Sequence, residues 1–528
     1  MTEAPTARIA GAAAVITILT VVARIAGFGR TFVFLHTVGA HQGGLGDIYN
    51  AANTIPNIVF ELVAGGALAS LVVPLLAGPV AAGDRERVNA TTSALLTWVL
   101  VLLVPIAVIV ALAAGPIAGL LPHVPPEHQE IAARMLRVFA PQLPLYGIGI
   151  VLTGALQAHH RFAWPVIAPL LSSVTVMAAY LSYAVVDGRY SDFAGLTTAG
   201  ELLLSVGTTA GVVVLACCLI IPIRRLELRL RPRLRFPGDE GRRAVRLGWA
   251  GAVTVGSQQV MTAVVIALTA SSGLTLFNAA QTVFLLPWAV LAVPLATAAY
   301  PSLAAAASSH DDDAYDRVLA GTARSVVLLA GLGAAALAGL AIPVAYLVGA
   351  APAASAIAGF APGLFGYALF ALLSRALYAR GATAAAAACT AIGWGVAALA
   401  ALIFSGHHVY ALGLANALGM TVIGALLALA VRRNAGAGAL LGLSRATAAG
   451  IVAAGAAALA GWGTVVAIGQ AFGATPAVAG SLVQGMLGGA AVAVVYAAVA
   501  FGLDSRDVRP LAETLVRRVR RRRGVEAS

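Results

Sequence analysis

Six charged or amide side chains lie inside long apolar stretches of this sequence or, in the case of Asp47, at the outer edge of one. They are Arg24, Arg30, Asp47, Glu61, Gln258 and Arg375. A charge at the centre of a bilayer costs about 2.5–3.5 kcal/mol on insertion scales, so such residues either serve a function or reach the headgroups from near a helix end. Arginine stays protonated and forms paired hydrogen bonds to phosphate. Several arginines in one cavity therefore predict an anionic, phosphate-bearing ligand, and Glu61 would pair with an arginine or carry a proton.

The composition places these side chains in a membrane protein. Of the 528 residues, 60% are hydrophobic and 10% are charged, whereas soluble proteins have about 45–50% apolar and about 25% charged residues. Such a chain cannot fold around a soluble core, and it leaves little length for an extramembrane catalytic domain. The formal net charge of +12 comes from arginines in short loops, which is typical of a cytoplasmic membrane face and not of nucleic-acid binding.

Hydropathy over windows of about 19 residues predicts fourteen transmembrane helices. They cover residues 9–35, 48–80, 92–121, 131–157, 163–186, 197–223, 244–270, 274–307, 320–349, 355–379, 384–405, 409–431, 446–471 and 477–503. Basic residues fall in every second loop, so both termini are predicted to be cytoplasmic. The predicted fold class is an all-α polytopic membrane protein.

A short motif occurs twice and indicates an internal repeat. The pattern A-P-x-L-x-x-Y stands at 140–146 and again at 361–367. Six predicted spans separate the two copies, and six is even, so both copies cross the membrane in the same direction, as in a parallel repeat. We therefore predict five regions: an N-lobe of six helices at 1–223, a basic cytoplasmic linker at 224–246, a C-lobe of six helices at 247–433, two further helices at 434–503 and a basic cytoplasmic tail at 504–528.

No motif indicates an enzyme, a metal site or a cofactor. The sequence has no nucleophile elbow, phosphate-binding loop or zinc-ligand spacing. The aspartates at 311–313 and the histidine pairs at 159–160 and 407–408 are interpreted as loop residues without further ligands. The three cysteines lie in apolar runs and are interpreted as packing residues: Cys217, Cys218 and Cys389.

The C-terminal tail alternates arginines with valine and leucine from Arg506 to Arg523. This pattern predicts a surface helix that lies on anionic membrane lipid, where each arginine adds on the order of 1 kcal/mol. The alternative is that the arginines only set the orientation of the last span. Neither interpretation implies a nucleic-acid partner.

Several motifs resemble the MurJ (MviN) family of lipid II flippases, which belongs to the multidrug/oligosaccharidyl-lipid/polysaccharide (MOP) exporter superfamily. In chain order they are R-I-A-G-F-G-R at 24–30, D-I-Y at 47–49, I-P-N at 55–57, L-T-G-A-L-Q-A at 152–158, L-P at 286–287, Y-P-S-L at 300–303 and R-A-L-Y-A at 375–379. The resemblance covers nearly the whole chain. The composition and the V-F-E-L segment at 59–62 resemble the actinobacterial branch.

The resemblance implies a MOP exporter-like fold, with two six-helix lobes and two C-terminal helices. It also implies a function, namely movement of the polyprenyl-pyrophosphate-linked peptidoglycan precursor, lipid II, from the inner to the outer leaflet of the bacterial plasma membrane by alternating access. No cofactor is expected. The membrane potential or an ion gradient remain alternatives for the driving force, and proteins of cell-wall synthesis are candidate partners.

The chain departs from the family pattern at several cavity positions. Thr31 stands where well-studied members carry aspartate, Phe60 and Glu61 replace two arginines, and Gln281 and Thr282 replace an Asp-Arg pair. Family roles are therefore carried over only to three residues, which are Arg24, Arg30 and Asp47. Glu61, Gln258 and Arg375 are candidates from position and chemistry alone.

These departures keep other functions open. The chain would export another polyprenyl-linked glycan if the cavity had changed its substrate. It would be a non-transporting scaffold for cell-wall assembly if transport had been lost. A polyprenyl glycosyltransferase would need acidic metal ligands or a general base in a sizeable loop, and the loops outside the linker are too short for one.

Overall fold

The computed structural model describes residues 5–39, 44–61, 69–121, 124–159, 161, 163–190, 193–237, 240–269, 273–404, 408–472 and 478–525. These residues form helices, turns and short extended segments, and none of them forms a strand. The all-α class predicted from hydropathy is therefore confirmed. Two compact units divide the chain, unit 1 (Met1–Leu276) and unit 2 (Phe277–Ser528).

Ten helices lie entirely in unit 1. They are α1 (Pro5–Thr37), α2 (Leu45–Phe60), α3 (Ala69–Ala81), α4 (Arg85–Leu112), α5 (Ala114–Leu120), α6 (Gln129–Phe139), α7 (Gln142–Ala158), α8 (Ala163–Val186), α9 (Thr198–Arg224) and α10 (Glu240–Leu268). Short 3-10 turns precede α6 and α9, at Pro126–His128 and Phe193–Gly195. Helix α11 (Gly273–Pro287) begins in unit 1 and continues into unit 2.

The remaining nine helices lie in unit 2. They are α12 (Val293–Ser308), α13 (Asp312–Gly339), α14 (Ala341–Val348), α15 (Ala354–Phe360), α16 (Gly363–Ala379), α17 (Thr383–Ile403), α18 (His408–Ala435), α19 (Leu443–Phe472) and α20 (Val478–Val525). A π-helical turn at Trp288–Ala292 joins α11 to α12. Short 3-10 turns precede α15 and α19, at Ala351–Ala353 and Gly438–Leu440.

The structure does not confirm the exact number of fourteen spans. Among the described residues, 11 helices are long and apolar enough to cross a membrane, or 12 when a pair bent by 57° at Ala361 and Pro362 counts as one span. These twelve correspond in order to the third to fourteenth predicted spans. The first two predicted spans contain α1, and α2 with α3, and residues 62–68 between α2 and α3 lie outside the described part.

Helix α7 contacts α3, α4 and α9 in the middle of unit 1, while α8 packs against α1 and α9. Apolar side chains of α3, α4, α7 and α9 form one buried core, which includes Val72, Leu76, Leu95, Leu103, Val151 and Leu219. Lipid is as apolar as leucine, so close packing contributes more than exclusion of water in such a core. Helix α2 contacts α7 of this core and α1 contacts α8, and these two helices carry four of the six predicted site residues.

Matching local structures support the predicted repeat. Helices α4 and α13 are both 28 residues long, both begin after an aspartate that caps the first turn, and both end one residue before a short helix. Asp84 accepts a hydrogen bond from the Arg87 amide, and Asp311 accepts one from the Ala314 amide, each at 2.9 Å. Helices α7 and α16 are both 17 residues long, and each follows the Ala-Pro of the repeated motif.

An ion pair between an exposed arginine and a buried carboxylate joins α6 to α9 in unit 1. The Arg134 guanidinium donates Nε to Glu201 Oε1 at 2.9 Å and Nη2 to Glu201 Oε2 at 2.8 Å. Glu201 is only 9% exposed, and a second carboxylate, Glu130, lies 3.1 Å from the same guanidinium. Because the paired geometry satisfies both carboxylate oxygens, the charge of Glu201 has a structural explanation.

The interpretations of the aspartate run and of one cysteine need correction. The aspartate run belongs to the start of α13, where Asp311 is the N-cap and Asp312 pairs with Arg380 at 2.7 Å. Carboxylates are favourable there because they oppose the positive end of the helix dipole. Of the cysteines, Cys218 is buried whereas Cys217 is exposed, so Cys217 is not a packing residue. His160 and His407 lie outside the described residues.

Helix α18 contacts two neighbours through glycines. A Cβ on Gly366 of α16 would lie 2.2 Å from the Met420 carbonyl oxygen, and one on Gly424 would lie 2.7 Å from Gly366 Cα. On the other side, a Cβ on Gly419 would lie 2.7 Å from the Gly393 carbonyl oxygen of α17. Small residues at helix crossings let backbones approach closely in membranes. The glycines therefore set the separation of α16, α17 and α18.

Substituting Gly366 with alanine should destabilise the protein. The added methyl group would overlap backbone atoms of α18, and overpacking typically costs about 1–3 kcal/mol. We expect a lower midpoint of thermal unfolding for Gly366→Ala in detergent. The control is Gly395→Ala on α17, where no heavy atom lies within 4 Å of the new Cβ. Equal midpoints for the two variants would contradict the proposed crossing.

Arg134→Leu should destabilise the protein because it leaves the buried Glu201 carboxylate without its partner. The expected loss is about 1–3 kcal/mol, the range for a buried polar group left unmatched. Arg134→Leu combined with Glu201→Leu should recover stability, since the unpaired charge is then gone. The measurement is thermal unfolding of both variants. If the double variant is no more stable than the single one, the pair does not have this role.

Candidate functional site

Helix α1 presents both predicted arginines on its surface. Arg24 and Arg30 have exposed side chains, and no carboxylate among the described residues forms an ion pair with either. The six-residue separation turns the two side chains about 120° apart around the helix. Gly29 packs on α8, since a Cβ there would lie 3.6 Å from the Met177 sulfur. The two guanidinium groups are therefore available to an anionic ligand.

A buried cluster of tyrosines lies near Arg30. The Tyr49 hydroxyl is 2.8 Å from the Tyr180 hydroxyl and 2.7 Å from Thr208 Oγ1. The charge of Arg30 interacts electrostatically with Tyr49, Tyr180 and Tyr146. These contacts link α1 and α2 to α7, α8 and α9. The hydroxyl groups form a polar cluster within the electrostatic range of the exposed Arg30 side chain.

Glu61 shares one of these tyrosines with Arg30. It caps the C-terminal end of α2, its side chain is half-buried, and its charge also interacts with Tyr146. The structure thus brings Arg30 and Glu61, which are far apart in sequence, to the same tyrosine. Tyr146 is the last residue of the first copy of the repeated motif.

Asp47 holds the start of another helix. Its Oδ1 accepts hydrogen bonds from the Thr275 amide at 3.2 Å and the Thr275 hydroxyl at 2.5 Å. Asn50 donates to the same hydroxyl at 2.9 Å. The other carboxylate oxygen, Oδ2, is buried and has no hydrogen-bond partner among the described residues. Asp47 therefore caps the first turn of α11 from α2, and one of its oxygens retains an unused acceptor.

The other two predicted residues have different surroundings. Gln258 lies half-buried on α10 in unit 1, and its backbone carbonyl accepts a hydrogen bond from the Thr262 hydroxyl. Arg375 belongs to α16 in unit 2, where its guanidinium donates to the Ala371 carbonyl. Its charge interacts with Tyr378 and Tyr300. Arg375 is thus held by its own helix and by tyrosines, without a carboxylate among the described residues.

The tyrosine cluster was not predicted from the sequence. Tyr49 and Tyr146 lie within motifs that had been identified, but nothing in the spacing of Tyr180 or Thr208 indicated that they would meet Tyr49. The cluster forms only when α8 and α9 pack against α2. Among the described residues, no group of three His, Cys, Asp or Glu side chains could hold a metal ion. The exposed guanidinium groups of Arg24 and Arg30 offer anion binding.

Comparison with known proteins identifies the family. Residues 37–484 match the family model described as lipid II flippase MurJ. The probable lipid II flippase MurJ of Synechocystis sp. is 31% identical over 237 residues, which are 44% of this chain and 43% of that protein. Lipid II flippase MurJ of Burkholderia cenocepacia is 27% identical over 381 residues, 68% of this chain and 71% of that protein. The chain spans 43% and 52% of the Synechocystis and Rhizobium tropici relatives, about half their lengths.

Solved structures share the fold. Lipid II flippase MurJ in an inward closed conformation superimposes with a TM-score of 0.71 at 15% identity, covering 92% of this chain and 98% of that one. An inward-facing multidrug resistance transporter of the MATE family, in the MOP superfamily, gives a TM-score of 0.61 at 16% identity, covering 80% and 94%. The family model matches most of the sequence, and the resemblance seen in its motifs is confirmed. The chain belongs to the lipid II flippase MurJ family.

Proposed function

We propose that this protein is a transporter, and not an enzyme, that moves lipid II from the inner to the outer leaflet of the bacterial plasma membrane for peptidoglycan synthesis. The observation that carries the proposal is the pair of exposed arginines on α1, neither of which pairs with a carboxylate among the described residues. A pyrophosphate supplies the negative charge that such arginines bind in bidentate fashion. The description of the family to which the chain belongs, lipid II flippase, names a substrate of this kind.

The interrupted helices support an alternating-access mechanism. Helices α11 and α12 are joined by the π-helical turn at Trp288–Ala292, and α15 meets α16 at a bend of 57°. π-Helical turns and broken spans are common at functional sites and in transporters whose helices change conformation. In this proposal Asp47 holds the start of α11 to α2, and the change in conformation is driven by the membrane potential or an ion gradient.

Glu61 distinguishes two versions of the proposal. A carboxylate at the end of α2 replaces the positive charge expected there from the family pattern, and it lies within the electrostatic range of the same tyrosine as Arg30. In the first version Glu61 carries a coupling proton while Arg24 and Arg30 hold the pyrophosphate of lipid II. In the second version the altered charge fits another polyprenyl-linked glycan. Gln258 and Arg375 are proposed as further substrate contacts in both.

We also propose that the C-terminal segment of α20 lies on anionic lipid at the cytoplasmic surface. The helical backbone is interrupted at Asp504, where φ is −144° and ψ is 64°. Two arginines hold this point, since Arg445 donates to Asp504 at 3.3 Å and to Asp507 at 2.9 Å, while Arg324 donates to Asp507 at 2.9 Å. The arginine-rich helical turns follow this anchored break, where contact with anionic headgroups is favourable.

Removing the α1 arginines should abolish flipping. In cells depleted of their own lipid II flippase, we expect no growth with Arg24→Ala combined with Arg30→Ala, and impaired growth with either Arg→Lys variant. Lysine keeps the charge but loses the paired geometry, and one charge-assisted hydrogen bond is worth about 1.5–3 kcal/mol, or about 10–100-fold in affinity.

The matched control is Arg432→Ala combined with Arg433→Ala, which removes two exposed arginines from the end of α18. Membrane levels of each variant are measured by immunoblotting. Full growth with the Arg24/Arg30 double variant would exclude the pyrophosphate-binding role. Failure of the unaltered chain to support growth, together with export of another labelled polyprenyl glycan, would favour the second version. Failure of both transport assays would favour a scaffold.

The proposed orientation puts the loop after α9 in the cytoplasm and the loop after α8 outside. In a chain lacking its native cysteines, a membrane-impermeant maleimide should label Arg189→Cys in intact cells. It should label Arg225→Cys only after the membrane is permeabilised. Both side chains are exposed, so access depends on the side of the membrane. Labelling of Arg225→Cys in intact cells would reverse the orientation and contradict cytoplasmic termini.

A further inference from the structure

An extended segment after α9 lies along the beginning of α4. It covers residues 228–235, with the sequence L-R-L-R-P-R-L-R, and we call it the strap. Helix α9 ends at Arg224, and the chain reverses at Glu227, whose φ of 54° is left-handed. Arg85, the first residue of α4, lies 3.5 Å from the Glu227 carboxylate. The strap therefore begins beside the first turn of α4.

A ladder of hydrogen bonds fixes the strap to α4. The backbone amides of Arg229, Arg231 and Arg233 donate to three side-chain oxygens of α4 that lie four residues apart. The acceptors are, in order, Asn89 Oδ1 at 3.2 Å, Ser93 Oγ at 3.1 Å and Thr97 Oγ1 at 2.9 Å. Four residues of α-helix rise about 6 Å, and two residues of extended chain advance about 6.6–6.8 Å. The two periods match, so every second amide of the strap meets an acceptor.

The indole of Trp98 completes the attachment, because its Nε1 donates to the Leu234 carbonyl at 2.8 Å. In an extended chain alternate side chains point to the same face. Arg229, Arg231 and Arg233 therefore form one row, and Arg235 follows it at the bend that ends the strap. All four are exposed, and no ion pair joins any of them to a described carboxylate. The ladder holds this row of positive charge in a fixed backbone conformation.

The end of the strap meets an apolar surface. Leu234 is 56% exposed and Trp98 is 47% exposed. Beyond Trp98, α4 continues with exposed Val101, Val108 and Ile109 on its surface. A shallow cavity of about 470 Å³ lies where the strap ends, lined by Thr97, Val101, Pro232, Arg233, Leu234 and Arg235. Two arginines thus stand directly beside a surface that only hydrocarbon covers favourably.

We propose that this junction is a binding site for an anionic phospholipid of the leaflet at the Arg85 end of α4. The phosphodiester lies against Arg233 and Arg235, and an acyl chain follows Val101 and Val108. Arginine pairs with phosphate oxygens, while the tryptophan occupies the interface between headgroups and hydrocarbon. The site lies on α4 and the strap, away from Arg24 and Arg30 in sequence, and it does not depend on the proposed flipping activity.

Two features favour a lipid over an acidic peptide. A peptide would add to the free edge of the strap through backbone hydrogen bonds, but Pro232 has no amide hydrogen and interrupts that edge. A peptide would also leave the exposed residues of α4 uncovered. A phospholipid has its charge and its apolar chains in the same order as Arg235, Leu234 and Val101.

The test measures lipid binding to the full chain in detergent by native mass spectrometry. Phosphatidylglycerol and phosphatidylcholine are titrated separately onto the unaltered protein and onto Arg233→Gln combined with Arg235→Gln. We expect this variant to bind phosphatidylglycerol about tenfold more weakly and phosphatidylcholine unchanged. Arg432→Gln combined with Arg433→Gln removes the same charge elsewhere and should change the affinity less than twofold, with the basic tail present in every protein.

A second variant separates an ordered site from diffuse charge. Ser93→Ala combined with Thr97→Val removes two acceptors of the ladder and leaves every arginine in place. We expect at least threefold weaker binding of phosphatidylglycerol, with unchanged thermal unfolding in the absence of lipid. Equal affinities of the Arg233/Arg235 variant and the Arg432/Arg433 control for phosphatidylglycerol would overturn the proposal. The proposal would also be overturned if the protein bound hexaglutamate or inorganic pyrophosphate through Arg233 and Arg235 but did not bind phosphatidylglycerol. Binding of hexaglutamate would identify a protein partner, and binding of pyrophosphate would identify a free phosphate compound.

Discussion

The interior of a bilayer supplies no partner for a polar group, so the backbone amides and carbonyls within a span have to be matched inside the protein, and an unmatched charge there is costly. Within a helix the backbone amides and carbonyls form hydrogen bonds with each other. At the helix interruptions the backbone groups find partners among nearby residues. The Ala140–Pro141 break before α7 is closed by the Leu143 amide, which donates to the Ala140 carbonyl at 3.1 Å. The equivalent break before α16 is closed by Leu364 and Ala361 at 3.2 Å. The same constraint distinguishes charged side chains that have a counter-ion within the protein from those that have none.

Charges that stabilise the fold are paired, and those proposed to bind substrate are not. Arg134 forms two hydrogen bonds to the buried carboxylate of Glu201, and the Asp507 carboxylate pairs with two arginines, Arg324 and Arg445. Arg24 and Arg30 have no such partner among the described residues. An embedded charge alone therefore does not indicate function, whereas an embedded charge without a counter-ion within the protein does.

Periodicity and charge predict features of contiguous segments, but they do not predict which segments contact each other in the fold. The all-α class and the apolar spans of the described residues follow from hydropathy, and the predicted repeat at Pro141 and Pro362 follows from local pattern, because these are properties of contiguous segments. The partners of Asp47 and Glu201 do not, because Thr275 and Arg134 reach them only after helices pack. Cys217 looked like a core residue because apolar runs do not distinguish the lipid-facing side of a helix from its buried side.

The glycine crossings of α18 have a mechanical consequence. Backbone atoms of α18 touch α16 on one side and α17 on the other, so none of the three helices can slide or roll without forcing main-chain atoms together. In the proposed transport cycle these helices would therefore move as one rigid block. Bending would then be confined to places where the backbone is already irregular. In unit 2 we expect the hinge at the π-helical turn Trp288–Ala292.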